Sequence, residues 1–356
     1  MNSPHTEPRA EDAARDDVAD HQQHVFQLLF GHVGSKAVHV AVRLRIPEIL
    51  GDHAMSVEEL AERSGAQPAT LARLLRALGI FGLTRRTGDG HVALTDSGAL
   101  LRPDVPGSVQ GEVLLFADES VWQAWNGLED AIRDGKPAFD RIFGCDFYTH
   151  LCRHPALEAV FNQGFARQAR EFGRQVADIY DFSRVRTVVD VGGGDGVFLT
   201  EILARHRHLH GVLADLRAEA ETTRDTVRDA GVEARCTLTT CDFLSSVPSG
   251  GDLYVTRNVI RDWGDETATT ILRNCRRDLR SGGRLLLVEP VCVETPLPSA
   301  RQAAEDLLGL VLTGGRLRTE NEYRTILTRA GWTLDRVTPL ESSDYHILEA
   351  SPSPED

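Results

Sequence analysis

A doubly wound α/β sheet preceded by an α-helical winged-helix unit is the fold class the sequence predicts, and three observations predict it. The first is residues 187–199, where a strand-like apolar run breaks on Gly192, Gly194 and Gly196 and resumes directly as a helical pattern. The second is the alternation, from Val185 onward, of short apolar runs with amphipathic segments of helical period. The third lies at the front of the chain, where two short helical patterns around a tight break lead into a polar hairpin.

From about His24, the apolar residues Val25, Leu28, Leu29, Val33, Ala37, Val40, Ala41 and Leu44 recur at three- and four-residue steps up to Ile46-Pro47. That spacing predicts one or two amphipathic helices. Ser56 with Glu59 three residues later is a capping-box pattern, Ser64 to Pro68 breaks the chain, and Leu71, Leu74, Leu75 and Leu78 mark the next helix. A hairpin over 84–94 completes a winged helix within 21–110. Such a module raises DNA binding as a rival use. Arg73 and Arg76 lie on the presumed recognition helix, but Glu58, Glu59, Glu62, Asp89 and Asp96 crowd the same module, which favours packing between two copies of the chain.

Residues 111–182 read as a helical linker dense in large rings: Trp122, Trp125, Phe139, Phe143, Phe147, Tyr148, Phe161 and Phe165. Part of this set is core, and its density predicts a pocket wall for a flat apolar ligand, with Phe147, Asn162 and Phe165 as candidates. Over 183–350 the expected order is a strand at Val188, a helix over 198–205, a strand over 211–215, a helix through Thr222 and Val227, and a strand over 236–239. A strand over 253–255, a helix through Ala268 and Leu272, a strand over 284–289, a helix over 320–330 and two closing strands near 334–337 and 346–349 follow. In such a sheet the ligand sits above the carboxyl ends of the strands.

The 356 residues, 41% of them hydrophobic, suffice for two cores. A net charge of -14 opposes an extended polyphosphate, so no nucleic-acid partner is expected. Six cysteines form no CxxC pair and no Cys/His cluster, which predicts reduced thiols and no metal. No apolar run reaches the ~18 residues of a membrane span, so a cytoplasmic protein without a membrane partner is expected. The first twenty residues hold six acidic and two basic side chains; 1–20 and 351–356 are expected to be mobile tails.

The glycine turn is a nucleotide cradle by its sterics, since glycine reaches backbone angles closed to other residues and carries no Cβ to keep a ligand away. Asp215, 19 residues beyond Gly196, is placed to accept ribose hydroxyls. Asp190 and Asp195 flank the glycines, and their charge suits a cationic sulfonium with an α-amino group better than a diphosphate. S-adenosylmethionine fits that description. Asp242 ends the 236–239 strand, where it either accepts from an adenine amino group, with Phe243 packed on the ring, or caps a helix.

These residues carry a resemblance: the winged-helix front, Asp190 to Gly196, Asp215, Asp242-Phe243, Asp262 to Glu266, Glu289-Pro290 and the run Gly314 to Thr319. From about residue 20 to 350 the chain resembles the S-adenosylmethionine-dependent O-methyltransferases of the caffeic-acid and bacterial antibiotic-tailoring (anthracycline) type. The resemblance implies cofactor contacts from Gly192, Asp215, Asp242, Phe243 and Arg257, where the family usually has Lys, with Trp263 near the adenine. It also implies a homodimer built by the N-terminal domains and a small aromatic or polyketide-like substrate. One departure stands out: the family's catalytic histidine, in a run Leu-His-Asp-Trp, falls on Arg261 in Ile260-Arg261-Asp262-Trp263. Arginine stays protonated and cannot take a phenol proton. Of the two glutamates flanking that histidine in the family, Glu289 remains and the other falls on Leu317. Arg261, Asp262 and Glu289 are therefore the catalytic candidates. Two readings follow: methyl transfer driven by proximity and by the Arg261 charge, or a non-methylating tailoring step, decarboxylation, hydroxylation or pericyclic, on the same fold. The resemblance favours methylation.

Overall fold

The computed structural model describes residues 10–293 and 299–354, with side chains from residue 20 onward. The chain forms two compact units, Met1–Ala117 and Asp118–Asp356. The break falls one short helix later than the boundary expected after 110, because Gln110–Phe116 packs against Gly31–Arg43.

In the first unit the amphipathic stretch resolves into helices Ala10–Leu29 and Gly31–Arg43. The expected mobile acidic tail is thus helical from Ala10, where the charged segment runs on into the apolar repeat; residues 1–9 lie outside the described residues. Ser56 accepts from the Glu59 N–H and starts Val57–Ser64, and Pro68–Ile80 follows the break. Strands β1 (Thr84–Arg86) and β2 (Val92–Leu94) pair antiparallel as the wing. Ile46, Leu50, Leu60, Leu71 and Leu78 fill the core. Val25, Phe26, Leu28, Leu29 and Phe30 lie outside it, exposed.

The second unit is an eight-stranded mixed sheet of β3 (Thr187–Val191), β4 (His210–Asp215), β5 (Cys236–Thr240), β6 (Gly251–Arg257), β7 (Leu279–Cys292), β8 (Arg318–Thr319), β9 (Trp332–Pro339) and β10 (Tyr345–Pro352). The order is β5-β4-β3-β6-β7-β10-β9, with β8 beside β7. Strands β3 to β7 run parallel, while β10 is antiparallel to both β7 and β9. The last two strands are joined by a short loop with no crossover helix, which leaves antiparallel pairing as their only geometry. Ser351 and Pro352, expected in a tail, belong to β10.

Alternation along the strands sorts the core into two layers. Val188, Leu253, Val255, Leu286 and Val288 face helices Pro155–Ile179 and Val197–Arg205, whereas Val189, Tyr254, Leu285 and Leu287 face Asp265–Asp278 and Glu320–Arg329. A third cluster, around Phe139, Phe147 and Leu151, builds a helical layer within this unit. The chain order reverses between β3 and β6, which opens a crevice at their carboxyl ends. No single described helix is long and apolar enough to cross a membrane; only the bent pair Asp20–Leu29 and Gly31–Arg43 passes that test, and only jointly.

Candidate active site

The glycine turn closes β3 at this crevice. Gly192, Gly194 and Gly196 have φ of 73°, 57° and 80°, the left-handed region that the sequence requires of them. A Cβ on Gly192 would meet Val259 Cγ2 at 2.6 Å, and one on Gly193 would meet Asp190 Oδ2 at 2.6 Å, so the turn lies against its neighbours with no room to spare. At Gly194 a Cβ would meet nothing within 4 Å, because that residue faces open space.

Beneath the turn the two flanking aspartates differ. Asp195 accepts from the Val197 N–H and so satisfies the start of its helix. Asp190 is 1% exposed, and neither carboxyl oxygen has a partner among the described residues. Burial pushes its pKa up to about 7, against the pull of Arg257. Arg257 ends β6 with a buried Nη1 that is likewise unpartnered. Asp215 ends β4; its Oδ2 accepts from Gly194 N at 3.1 Å and its Oδ1 from Arg217 N at 3.0 Å, while burial raises its pKa. A buried unpaired carboxylate and a buried unpaired guanidinium nitrogen at one crevice are what a zwitterionic ligand would satisfy, and an amino acid is one.

Beside the turn, Phe243 and Trp263 meet edge to face at 6.2 Å, and Trp263 stacks on Tyr148, also at 6.2 Å. Tyr148 in turn meets Phe161, whose ring lies 4.9 Å from Phe165. Phe165 and Asn162 are half-buried on Pro155–Ile179, while Phe147, 3% exposed, packs against Phe139 inside the wall. The Asp242 carboxylate accepts from Leu244 N and Ser245 Oγ and so closes a tight turn after β5; no helix begins there for it to cap, and it is exposed.

The turn 260–263 carries the catalytic candidates and is clamped from three sides. Glu289, 0% exposed on β7, takes the Val259 and Ile260 N–H groups on Oε1 at 3.0 and 2.8 Å; burial raises its pKa to about 7. Arg318, also 0% exposed, donates to Ile260 O, Trp263 O and Asp265 Oδ1. Gly315 packs so closely that a Cβ would lie 2.3 Å from Arg261 O. The run Gly314 to Thr319 is thus a support for this turn. Leu317 is buried, and its N–H donates to Asp306 Oδ1.

Arg261 pairs with none of the neighbouring acids that adjacency would nominate. Its Nη1 reaches Glu305 Oε2 at 3.4 Å and Tyr345 Oη at 3.3 Å, and Asp265 is taken by Arg318. Burial opposes its charge, but Tyr345, Asp262, Glu305 and Glu289 around it hold it protonated. Tyr345 Oη donates to Asn258 Oδ1 at 2.7 Å, and Asn258 Nδ2 to Gln168 Oε1 at 3.1 Å. Asn258 has φ 55°, a left-handed bend that turns the chain out of β6 into the site. Asp262 accepts a hydrogen bond from Tyr148 Oη, and burial raises its pKa.

Sequence reasoning missed Asn258, Glu305, Arg318 and Tyr345 as site residues. No local pattern marks the first, second and fourth, which meet only through the fold; Arg318 stood in the family run without an assigned role. Among the described residues no group of three or more His, Cys, Asp or Glu could hold a metal ion.

Comparison with known proteins gives this site a family. Residues 125–333 match the model of an O-methyltransferase domain and residues 26–103 that of an O-methyltransferase dimerisation domain. The O-demethylpuromycin-O-methyltransferase of Streptomyces alboniger is 36% identical over 339 residues, 93% of this chain and 89% of that protein. The structure of the mitomycin 7-O-methyltransferase superimposes with a TM-score of 0.90 at 32% identity, covering 96% of this chain and 99% of that one. An O-methyltransferase from neocarzinostatin biosynthesis, solved with S-adenosylmethionine and 2-hydroxy-5-methyl naphthoic acid, superimposes at 0.78 with 30% identity over 90% of this chain and 96% of that one. With both domain models matched in order and relatives aligned over nearly its whole length, the chain belongs to the O-methyltransferase family and is an S-adenosylmethionine-dependent methyltransferase.

Proposed function

We propose that this enzyme methylates a hydroxyl of a small aromatic or polyketide-type secondary metabolite. The observation that carries the aromatic acceptor is the row of rings from Phe165 and Phe161 through Tyr148 and Trp263 to Phe243, which leads to the glycine turn and offers flat apolar faces. The naphthoic acid bound by the neocarzinostatin enzyme is a molecule of that shape.

In this reading Gly192 and Gly194 let the main chain approach the cofactor. Asp190 takes the ammonium of its amino-acid end and Arg257 the carboxylate, which gives both buried groups their partners. Asp215 takes the ribose hydroxyls, and Asp242, Phe243 and Trp263 border the adenine. Asn162 and Phe165 line the acceptor pocket, with Phe147 supporting them from behind. When bound, S-adenosylmethionine supplies an electrophilic methyl group. Arg261 removes no proton; its fixed charge favours an anionic acceptor oxygen, and the clamped turn holds it in place. Glu289 acts on that turn through two backbone bonds, so its part in catalysis is positioning.

The exposed apolar residues of Ala10–Leu29 fit a homodimer through the N-terminal unit, and six free cysteines fit a cytoplasmic enzyme. The deciding experiment incubates the protein with methyl-labelled S-adenosylmethionine and a panel of phenols. Label in the product with matching S-adenosylhomocysteine is expected. Acceptor conversion without S-adenosylhomocysteine release would assign a non-methylating step.

A further inference from the structure

We infer that Tyr148 and Asp262 together form the proton acceptor for the substrate hydroxyl, supplying a base beside position 261, where arginine can take no proton. This rests on the methyl-transfer reading above.

The carboxylates around the turn are distinguished by what they already hold. Glu289 is 0% exposed, with Oε1 committed to two backbone N–H groups and Oε2 buried without a partner among the described residues, so its carboxyl is walled into the turn and does not face the aromatic row. Glu305 is shared by Arg261 and Arg301, and Asp265 is held by Arg318. Glu305 and Asp265 are thus engaged by guanidinium groups, and Glu289 Oε1 by main-chain amides, so each has a structural partner to hold. Asp262 differs, because its carboxylate is bonded by a neutral hydroxyl, that of Tyr148. Tyr148 comes from helix Phe147–Arg153, half-buried, with its ring stacked on Trp263 and edge-on to Phe161. The hydroxyl therefore sits within the aromatic row assigned to the acceptor.

The charges facing Asp262 are mixed. Burial, the largest influence, opposes its ionised form and prevails, while Arg261 beside it, the Tyr148 hydrogen bond and Arg257 at the end of β6 favour that form. Asp262 in turn raises Glu289 on β7. A carboxylate so placed is a better proton acceptor than one in water.

The acceptor O–H bond breaks and its proton passes to Tyr148 Oη as the Tyr148 proton moves to Asp262 Oδ2. The acceptor oxygen forms a bond to the methyl carbon, and the pair of the broken carbon–sulfur bond stays on sulfur. Tyr148 is the catalytic residue here, Asp262 the ultimate base, and Arg261 balances the charge.

The test compares Tyr148→Phe and Asp262→Asn with wild type on two phenols, a weakly acidic one and 4-nitrophenol, which is largely ionised above neutral pH. Label transfer to the weakly acidic phenol is expected to fall roughly 100-fold or more in both variants. Transfer to the nitrophenolate is expected to stay within a few-fold, since no proton need leave. The wild-type rate on the weakly acidic phenol should fall on acidification and that fall should vanish in Asp262→Asn. Equal losses on both phenols, or no loss on either, would overturn the pair. A second measurement omits the cofactor: at about pH 6, wild-type protein should raise the phenolate absorbance of 4-nitrophenol and Asp262→Asn should not. Equal spectra refute the pair. If wild type transfers no label to any phenol, the methyl-transfer reading fails, and this cofactor-free comparison alone decides the pair.

Discussion

Replacing Asp190 by Asn should stabilise the ligand-free protein while weakening its grip on the cofactor. The carboxyl is 1% exposed, has no partner for either oxygen among the described residues, and is raised from 3.8 to about 7 by burial. A carboxyl raised in the folded state imposes no cost below 3.8, where it is protonated folded and unfolded alike. The cost grows as pH rises from there and saturates above about 7. At about 1.36 kcal/mol per pKa unit it amounts to roughly 1.6 kcal/mol at pH 5 and at most about 4 kcal/mol at pH 8. Asparagine keeps the shape and leaves a neutral group equally short of partners, so the pH-dependent difference is the clean quantity. For a unit the size of Asp118–Asp356, about 3 kcal/mol corresponds to roughly 6–12 °C in Tm. Thermal melts of both proteins at pH 5 and pH 8 measure it: the variant should gain several degrees more at pH 8. Calorimetric titration should meanwhile show weaker S-adenosylmethionine binding. An identical Tm difference at the two pH values would refute the buried, unpaired carboxylate.

Three further outcomes are expected. Gly192→Ala places a Cβ 2.6 Å from Val259 Cγ2 at φ 73°, so it should cost about 1–2 kcal/mol in backbone strain alone and weaken cofactor uptake by calorimetry. Arg318→Ala removes a fully buried guanidinium that bonds Ile260 O, Trp263 O and Asp265; about 3–5 kcal/mol should be lost in chemical denaturation, with kcat/KM falling as the turn loosens. Phe26→Glu combined with Leu28→Glu changes residues 53% and 70% exposed, so the fold should survive while the dimer dissociates, as light scattering during gel filtration would show.

The parts of this molecule legible in the sequence are those governed by local rules. The glycine turn was readable because φ above zero leaves a mark in residue type, and β3, β4, β6 and β7 because buried strands are apolar. The break at Ser64 to Pro68 and the wing hairpin follow from the same local chemistry. The support of the catalytic turn obeys no such rule. Arg261 had adjacent acids as natural partners, yet the geometry gave Asp265 to Arg318, more than fifty residues away, and sent Arg261 to Glu305 and Tyr345. Asp190 and Asp195 look equivalent in the sequence, and only the course of the helix after Gly196 shows that one is satisfied and the other is not. Asp242 showed the converse, a turn residue with no helix after it where the pattern had offered a helix cap as one of two roles.

Tyr345 opens β10, the final strand, and it is the residue that ties Arg261 to Asn258. During synthesis Trp263, the last residue of the nucleoside cleft, leaves the ribosome about 80 residues before this tyrosine, an interval of roughly four to sixteen seconds at ordinary elongation rates. For that time a growing chain can shape its nucleoside cleft but has no completed brace for the arginine. Chemical competence therefore arrives last, with the strand that closes the sheet.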